Sequence, residues 1–469
     1  MNTKINVISE IVQHNLCVGC GVCTAICPQK ILYIRFSEHG EYLADITEQR
    51  KCGDKCSLCL SVCPFSDSSP NESEITNSIF MQIPNINYDS LIGFYLKTLV
   101  GSILNEDKRI ESTSGGLATW IQEKLLLSGA VDAVINVQPD TDLLFSYKIC
   151  NTADEIKTGA RSCYYPVELS KLLDTIIHSN KRFAIIALPC VCKAIRNLQQ
   201  KMPYCRKNIP FILGLTCGHN VSKGLIESVC ARFGGNPHNI TSVKFRKKDP
   251  MRYTSDFGIE IKYASTAGDE HSFTTHWTDG YGKYWTNRLF ALHACNFCDD
   301  IYAECADASF MDAWLSRYKE DWRGHTIMVS RSEKINKLIE QYKEEISQTP
   351  ISIKEVIQSQ YSNLIFKRYK LKQRIKYLKG TGLRIPQKRE SALHSIYEIG
   401  DQEEIALLYE ISLASKHLWN QCDKNYEQFK GRIQTYFVEV DRVEKRKRIY
   451  RYLNAILRRL QLLLWRLQS

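Results

Sequence analysis

Cys17-Val-Gly-Cys20-Gly-Val-Cys23-Thr-Ala-Ile-Cys27-Pro28, followed after a gap by Cys52-Gly-Asp-Lys-Cys56-Ser-Leu-Cys59-Leu-Ser-Val-Cys63-Pro64, decides how the chain begins to fold. The first run has the C-x2-C-x2-C-x3-C-P spacing of a ferredoxin that holds two cubane clusters. The second run repeats it with one extra residue between its first two cysteines. Two-residue gaps let successive thiolates face one iron–sulfur core, and the fourth cysteine of each run serves the other cluster. The spacing therefore assigns Cys17, Cys20, Cys23 and Cys63 to one 4Fe-4S cluster, and Cys52, Cys56, Cys59 and Cys27 to the other. Two structural zinc sites would need only four thiolates each and have no use for Pro28 and Pro64.

Between the runs, Ile31-Leu-Tyr-Ile-Arg-Phe36 and Glu41-Tyr-Leu-Ala-Asp-Ile46 flank His39-Gly40, which predicts a hairpin. Residues 1–66 thus read as an α+β dicluster module. The turn-rich residues 67–92 read as a linker.

The rest of the chain must supply other folds, since 469 residues suggest about three domains at roughly 150 residues each. Nineteen cysteines would suit a secreted disulfide protein, but the start MNTKINVISE has no apolar signal core. Ferredoxin-spaced cysteines also need a reducing compartment for assembly. No run approaches the roughly 20 apolar residues that cross a bilayer. The expectation is a cytoplasmic protein.

From residue 93 the texture becomes α/β. Glu111-Ser-Thr113-Ser114-Gly115-Gly116 leads into a helical pattern from Leu117, Gly129 ends it, and Val131–Val137 reads as a strand. Leu169–Ser179 reads as a helix, Arg182–Leu188 and Ile209–Leu215 as buried strands, and residues 240–285 as β-rich. Helices alternating with buried strands predict a largely parallel sheet. The boundaries fall at 93–170 and 171–348 for two parts of one α/β domain, with a basic helical extension over 349–469.

Two of these strands end in cysteine, at Cys190 and Cys217, and Cys295-Asn-Phe-Cys298 adds a pair. Ligands bind at the carboxyl ends of strands in open α/β sheets. These four thiols are candidates for a third cluster, while buried structural thiols fit Cys190 and Cys217 equally well. The turn Ser114-Gly115-Gly116 before a helix suits a nucleotide phosphate, because backbone N–H groups bind the anion there. Arg161-Ser162 and Phe245-Arg246-Lys247 are candidate second contacts.

Taken together these residues resemble the family of coenzyme F420 hydrogenase/dehydrogenase beta subunits, which includes the 7-hydroxymethyl chlorophyll a reductases. The motifs that carry the resemblance are Ser112-Thr113-Ser114-Gly115-Gly116, Leu188-Pro189-Cys190, Gly214-Leu-Thr-Cys217-Gly218, Cys295-x-x-Cys298-Asp299 and Glu304-Cys-Ala-Asp307-Ala-Ser-Phe-Met-Asp312-Ala-Trp314. They span residues 1 to about 335. Leu188 and Met311 stand where the family usually has Thr and Gly. The resemblance implies that the central domain binds FAD, with Thr113, Ser114, Gly115, Gly116, Arg161 and Ser162 as contacts. It also implies a third 4Fe-4S cluster on Cys190, Cys217, Cys295 and Cys298. His219 and His293, each two residues from one of these cysteines, are the candidates for a proton donor.

The implied function is an iron–sulfur flavoprotein oxidoreductase. Reduced ferredoxin would feed the clusters, and FAD would reduce a small-molecule, lipid-linked or sugar-linked substrate. Surface-polysaccharide chemistry is suggested by the company such proteins keep. Flow could also reverse, with a reduced deazaflavin as donor. The alternative is an electron-transfer subunit with no substrate of its own. A homo-oligomer is allowed by the sequence.

The net charge of +11 sits mostly at the C-terminus, where residues 442–469 carry nine Lys or Arg against one Glu. Arg448, Arg451, Asn454, Arg458 and Gln461 form one polar stripe against Leu, Ile, Tyr and Trp. That pattern suits a helix lying in a membrane interface, or one packed on its own protein. No nucleic-acid motif accompanies the basic run.

Overall fold

The computed structural model describes residues 5–47, 52–53, 56–265, 267–389 and 400–468, with backbone alone at 454–455 and 457–468. Each cysteine run folds into one short helix, α1 (Val22–Ile26) and α2 (Leu58–Val62). Between them β1 (Leu32–Phe36) and β2 (Tyr42–Ile46) form the expected antiparallel hairpin, with Leu32 opposite Ile46. Gly21 starts α1 at φ 80°. A Cβ there would lie 2.6 Å from the backbone nitrogen of Ser170, so the glycine lets the cysteine loop press against the next layer.

Residues 67–92, expected as a linker, are folded and packed. Helix α3 (Glu72–Phe80) starts at Asn71, whose side chain accepts from the Glu74 N–H while the Glu74 carboxylate accepts from the Asn71 N–H. Two of the polar residues that suggested a linker, Asn71 and Glu74, are this capping box. Ile75 and Phe80 are buried beneath it. A small hairpin, β3 (Asn87–Asp89) and β4 (Gly93–Tyr95), leads on to the sheet.

The α/β part follows in the order β5 (Lys97–Ile103), α4 (Glu106–Glu111), α5 (Leu117–Leu127), β6 (Ala133–Asp140), β7 (Leu144–Cys150), α6 (Ala153–Thr158), α7 (Ser170–Ile177), β8 (Phe183–Ala187), α8 (Pro189–Lys201), α9 (Cys205–Asn208), β9 (Phe211–Leu215) and α10 (Gly224–Arg232). A separate antiparallel sheet of β10 (Ile240–Lys247), β11 (Gly258–Ala264) and β12 (Glu270–His276) precedes α11 (Tyr281–Thr286). Then β13 (Ala308–Asp312), β14 (Thr326–Ser330), α12 (Glu333–Gln341) and β15 (Ile346–Pro350) complete the main sheet.

That sheet has eight strands in the order β15-β5-β14-β13-β9-β8-β6-β7. Only the β6–β8, β8–β9 and β9–β13 pairs are parallel; β7 at one edge and β14, β5 and β15 at the other join through antiparallel pairs. The sheet is therefore mixed, not largely parallel. Helix–strand alternation predicted only the centre, because the outer strands return through loops and short helices that carry no crossover signal.

Alternation along the central strands splits two cores. Phe183, Ile185 and Ala187 of β8 face one side with α7, α8 and residues of the cysteine module (Val22, Ile26, Leu60 and Val62). Ala184 and Ile186 face the other side, under α5 and α12. The dicluster module is thus part of the cover on one face of the sheet.

The extension is helical as expected: α13 (Ile353–Ser359), α14 (Tyr361–Leu364), a π-turn at Ile365–Tyr369, α15 (Leu371–Gly380), α16 (Asp401–Gln421) and α17 (Tyr426–Gln468). Its α16 grips the β1–β2 hairpin, with Lys416 on Glu41 at 2.7 Å and the Asn420 amide donating to the Glu38 carbonyl at 3.0 Å. Among the described residues no helix is long and apolar enough to cross a membrane.

Candidate functional site

The cysteines of the first run gather with the end of the second. Burial drives the Cys23 thiol well up, and Cys20, Cys17, Cys63 and Cys59 add to the effect from nearby. Burial likewise pushes Cys20 to about 12. Backbone N–H groups point at these sulfurs: those of Gly19 and Ala44 at Cys17, of Val22 at Cys20, of Phe65 at Cys63, and of Val7 and Leu60 at Cys59. Such donors hold a thiolate's charge and set a cluster's potential. Cys59 lies within electrostatic reach of Cys52 and Cys56, and Cys27 is buried at the end of α1.

A second group of cysteines meets at the strand ends. Pro189-Cys190 opens α8 directly after β8, Cys217 follows β9 by two residues, and Cys295 and Cys298 lie in and just after the 3-10 turn His293–Asn296. Gly214 lets the loop of Ala303 and Ala306 close over β9, since a Cβ there would lie 2.3 Å from that of Ala303. Burial raises the Cys190 thiol, with Cys298, Cys217, Cys295 and Cys20 contributing in that order. Cys20 is thus within electrostatic reach of Cys190, and both pack against the same core. The Cys295 sulfur accepts from the Asn220 N–H at 3.3 Å. Among the described residues, no three His, Cys, Asp or Glu side chains are drawn together so as to hold a single metal ion.

Three buried cations surround this second group. The Lys367 ammonium donates to the Cys298 sulfur at 3.1 Å and to the Asp300 carbonyl at 2.7 Å. Arg288 and Arg374 sandwich Phe366, with their guanidinium carbons 4.0 and 3.9 Å from its ring centre. Burial lowers Arg288 to about 10, against the pull of Cys295, Cys217 and Cys298. Arg374 falls well below its usual range, first by burial and then by Arg288. Among the described residues none of the three is ion-paired to a carboxylate, and Arg288 Nε and Nη2 and Arg374 Nη2 have no hydrogen-bond partner. Asp300, which feels Lys367, is itself pushed to about 7 by burial, Glu304 and Glu72. Asp299 and Glu304 are committed elsewhere, to Lys388, Arg389 and Arg368 at 2.6 to 2.8 Å.

The glycine turn is the third place of interest. Ser162 N–H donates to Thr113 Oγ1 at 2.6 Å, and Ser114 donates to the His325 carbonyl at 2.5 Å. Gly116 has φ 87° and caps α5. Gly115 is required by the protein itself, because a Cβ would lie 2.3 Å from the Gly101 carbonyl oxygen and 2.7 Å from the Thr326 nitrogen. Arg161 pairs with Glu111 at 2.7 Å, Arg246 with Asp312 at 2.5 Å, and Arg109 with Asp321 at 2.8 Å. Lys248 instead donates to the carbonyls of Arg109 and Ser114, at 2.5 and 2.8 Å. Burial lowers it to about 7, with Arg109, Arg246 and Arg161 adding repulsion. A cavity of about 300 Å³ opens beside the turn, lined by Ser112, Gly116, Trp120, Lys108 and Lys157 among others.

Residues 99–174 and 180–354 match the N-terminal and C-terminal family models of the coenzyme F420 hydrogenase/dehydrogenase beta subunit, and residues 16–66 match the 4Fe-4S dicluster domain. The chain belongs to the family of coenzyme F420 hydrogenase/dehydrogenase beta subunits. It is similar to the coenzyme F420-dependent sulfite reductase of Methanocaldococcus jannaschii, at 26% identity over 64% of this chain and 43% of that protein. It is also similar to a subunit of the F(420)H(2) dehydrogenase of Methanosarcina mazei, at 21% identity over 64% of this chain and 77% of the relative. The chain therefore spans less than half the length of the first of these relatives. A chain from a structure of the F420-reducing [NiFe] hydrogenase complex of Methanosarcina barkeri aligns over 65% of this chain and 99% of its own, with 14% identity and a TM-score of 0.47.

Neither candidate histidine of this family member faces solvent. His219 stacks on Trp285 with ring centres 4.1 Å apart, and burial, Arg288 and Lys367 hold it well below its usual range. His293 packs edge-on against Phe297 and Tyr409, and burial, then Lys416, brings it to about 4. Both are neutral near pH 7. The sequence reading passed over Lys367, Arg374 and Lys248. The first two lie past the family match, in a stretch that reads only as a basic helical extension, with no motif to mark a buried cation.

Proposed function

We propose that this chain is an electron-transfer protein whose twelve cysteines hold three 4Fe-4S clusters, two in the dicluster module and one at Cys190, Cys217, Cys295 and Cys298. The observation that carries the third site is the convergence of four cysteines from three separate segments with Arg288, Lys367 and Arg374, buried cations that form no carboxylate ion pair among the described residues. Four neutral thiols would leave those charges unbalanced in an apolar interior, at high cost. Four thiolates around a cluster carry net negative charge and balance them. When bound, the clusters supply one-electron transfer.

The residues do the rest. Backbone donors hold the thiolates, the cations favour the more negative state at the third site, and the packing of Cys20 and Cys190 against one core supports transfer between the two groups. FAD is the finer part of this reading. Its phosphates would meet the N-terminus of α5, and Lys248, which forms no carboxylate ion pair among the described residues, would balance them. Reduced ferredoxin or a reduced deazaflavin is the donor class, and a larger redox assembly is the setting, as the names of the two relatives suggest.

The test is anaerobic purification followed by iron, sulfide, zinc and flavin analysis. Three clusters give about 12 iron and 12 sulfide per chain. A value near eight removes the third site, and bound zinc in place of iron removes the whole reading. Supplying reductant and candidate acceptors, with and without a partner protein, separates an electron-transfer role in a complex from that of a reductase with its own substrate.

A further inference from the structure

Helix α17 runs 43 residues, on the order of 65 Å at 1.5 Å per residue. Among its described side chains the last buried ones are Val443 and Lys447, the latter donating at 2.6 Å to both Asp401 and Glu404. Beyond them Ile449, Tyr450, Tyr452, Leu453 and Ile456 are 51%, 42%, 68%, 51% and 36% exposed. Ile449, Tyr452, Leu453 and Ile456 follow the i, i+3, i+4, i+7 spacing of a single helix face, and Arg448 and Arg451 fall outside it. No Asp or Glu occurs after Glu444, while Lys445, Arg446, Lys447, Arg448, Arg451, Arg458, Arg459 and Arg466 do.

We propose that the distal part of α17 docks on an anionic lipid surface, its apolar face entering the interface and its arginines meeting lipid phosphates. The charge argues for this occupant. Two copies of the distal stretch laid together would bring Arg458, Arg459 and Arg466 of one against those of the other, and the sequence after Glu444 offers no acid to answer them, so a second copy of the chain is disfavoured. A nucleic acid would satisfy the arginines but leave the row of Ile449, Tyr452, Leu453 and Ile456 in water. A lipid interface takes both, which is how basic amphipathic helices bind membranes. The inference is independent of the cluster assignment.

Anaerobically purified full-length protein is mixed with vesicles of phosphatidylcholine alone or of phosphatidylcholine with phosphatidylglycerol, then sedimented. Binding is expected to be tighter on the anionic vesicles by roughly tenfold or more and to weaken as salt rises. The double substitution Ile449→Glu with Leu453→Glu should lower it by a similar factor. Both positions are exposed, so iron content and circular dichroism should not change. Equal binding to both vesicle types, no binding, or unchanged binding by the double variant would overturn the proposal. So would a concentration-dependent dimer that the double variant loses, which would give the face to a second copy. Binding to transfer RNA in preference to anionic vesicles would also sink it.

Discussion

Lys367 brings its charge to 3.1 Å from the Cys298 sulfur, and this fixes what its removal should do. A cation at the third site favours the reduced, more negative cluster, so it raises the potential there. At about 5 Å and an effective dielectric constant near 20 the interaction is about 3 kcal/mol. At ~2.3 kcal/mol per 100 mV this corresponds to a shift on the order of 100 mV. Lys367→Met should lower the third potential by that much in a titration followed by paramagnetic resonance, with iron content intact. Lys367→Arg should restore part of it. Cys295→Ser should instead cost about four of 12 iron atoms and spare the signals of the dicluster module. Lys248 gives a pH prediction. Its pKa of about 7 in the folded protein lies below the unfolded value, so folding releases its proton between about 7 and 10.5. The unfolded state binds more protons in that window, so stability rises with pH across it. The protonated form is the one that attracts phosphate, so FAD affinity should fall as pH rises past 7. Lys248→Met should bind FAD weakly with no such slope in a fluorescence titration. Gly115 is a poor probe of the same question, because any side chain there strikes the backbone of β5 and β14 before it meets a ligand.

At the scale of elements, helix α3 is a structural tie. Phe80 is 1% exposed and packs toward Phe94, so Phe80→Ala should cost about 3–5 kcal/mol and lower the denaturant midpoint for loss of cluster absorbance. Its existence was written in Asn71 and Glu74, but the preceding Ser-Asp-Ser-Ser-Pro stretch outweighed a cap of two residues. The hairpin, α5, α7 and the central strands were legible because each shows a clean period bounded by a turn signal. The edge strands were not. Lys97–Ile103 and Ile346–Pro350 pair directly although some 240 residues separate them, and local pattern carries no information on such pairing. The site divides in the same way. Cysteine spacing announces ligands, whereas Arg288 and Arg374 are marked by buried nitrogens without a hydrogen-bond partner and Lys367 by its contact with Cys298, and both show only in three dimensions.

For the whole molecule, the module of residues 1–66 shares a core with α7 and α8, α3 follows it in the fold, and α16 holds its hairpin through Lys416 and Asn420. Brief digestion with trypsin should therefore release no stable fragment of residues 1–66, as judged by mass spectrometry. Accumulation of such a fragment with its iron would mean a tethered module. The close seat of Gly21 against Ser170 also bears on how the protein meets oxygen. Cys20 lies on the seam between the two bodies, where its carbonyl accepts from the Leu169 N–H and its side chain keeps partial exposure. A cluster held by Cys20, as proposed above, would sit along this line, and its loss to oxygen should loosen the contact, read as faster hydrogen exchange in α7.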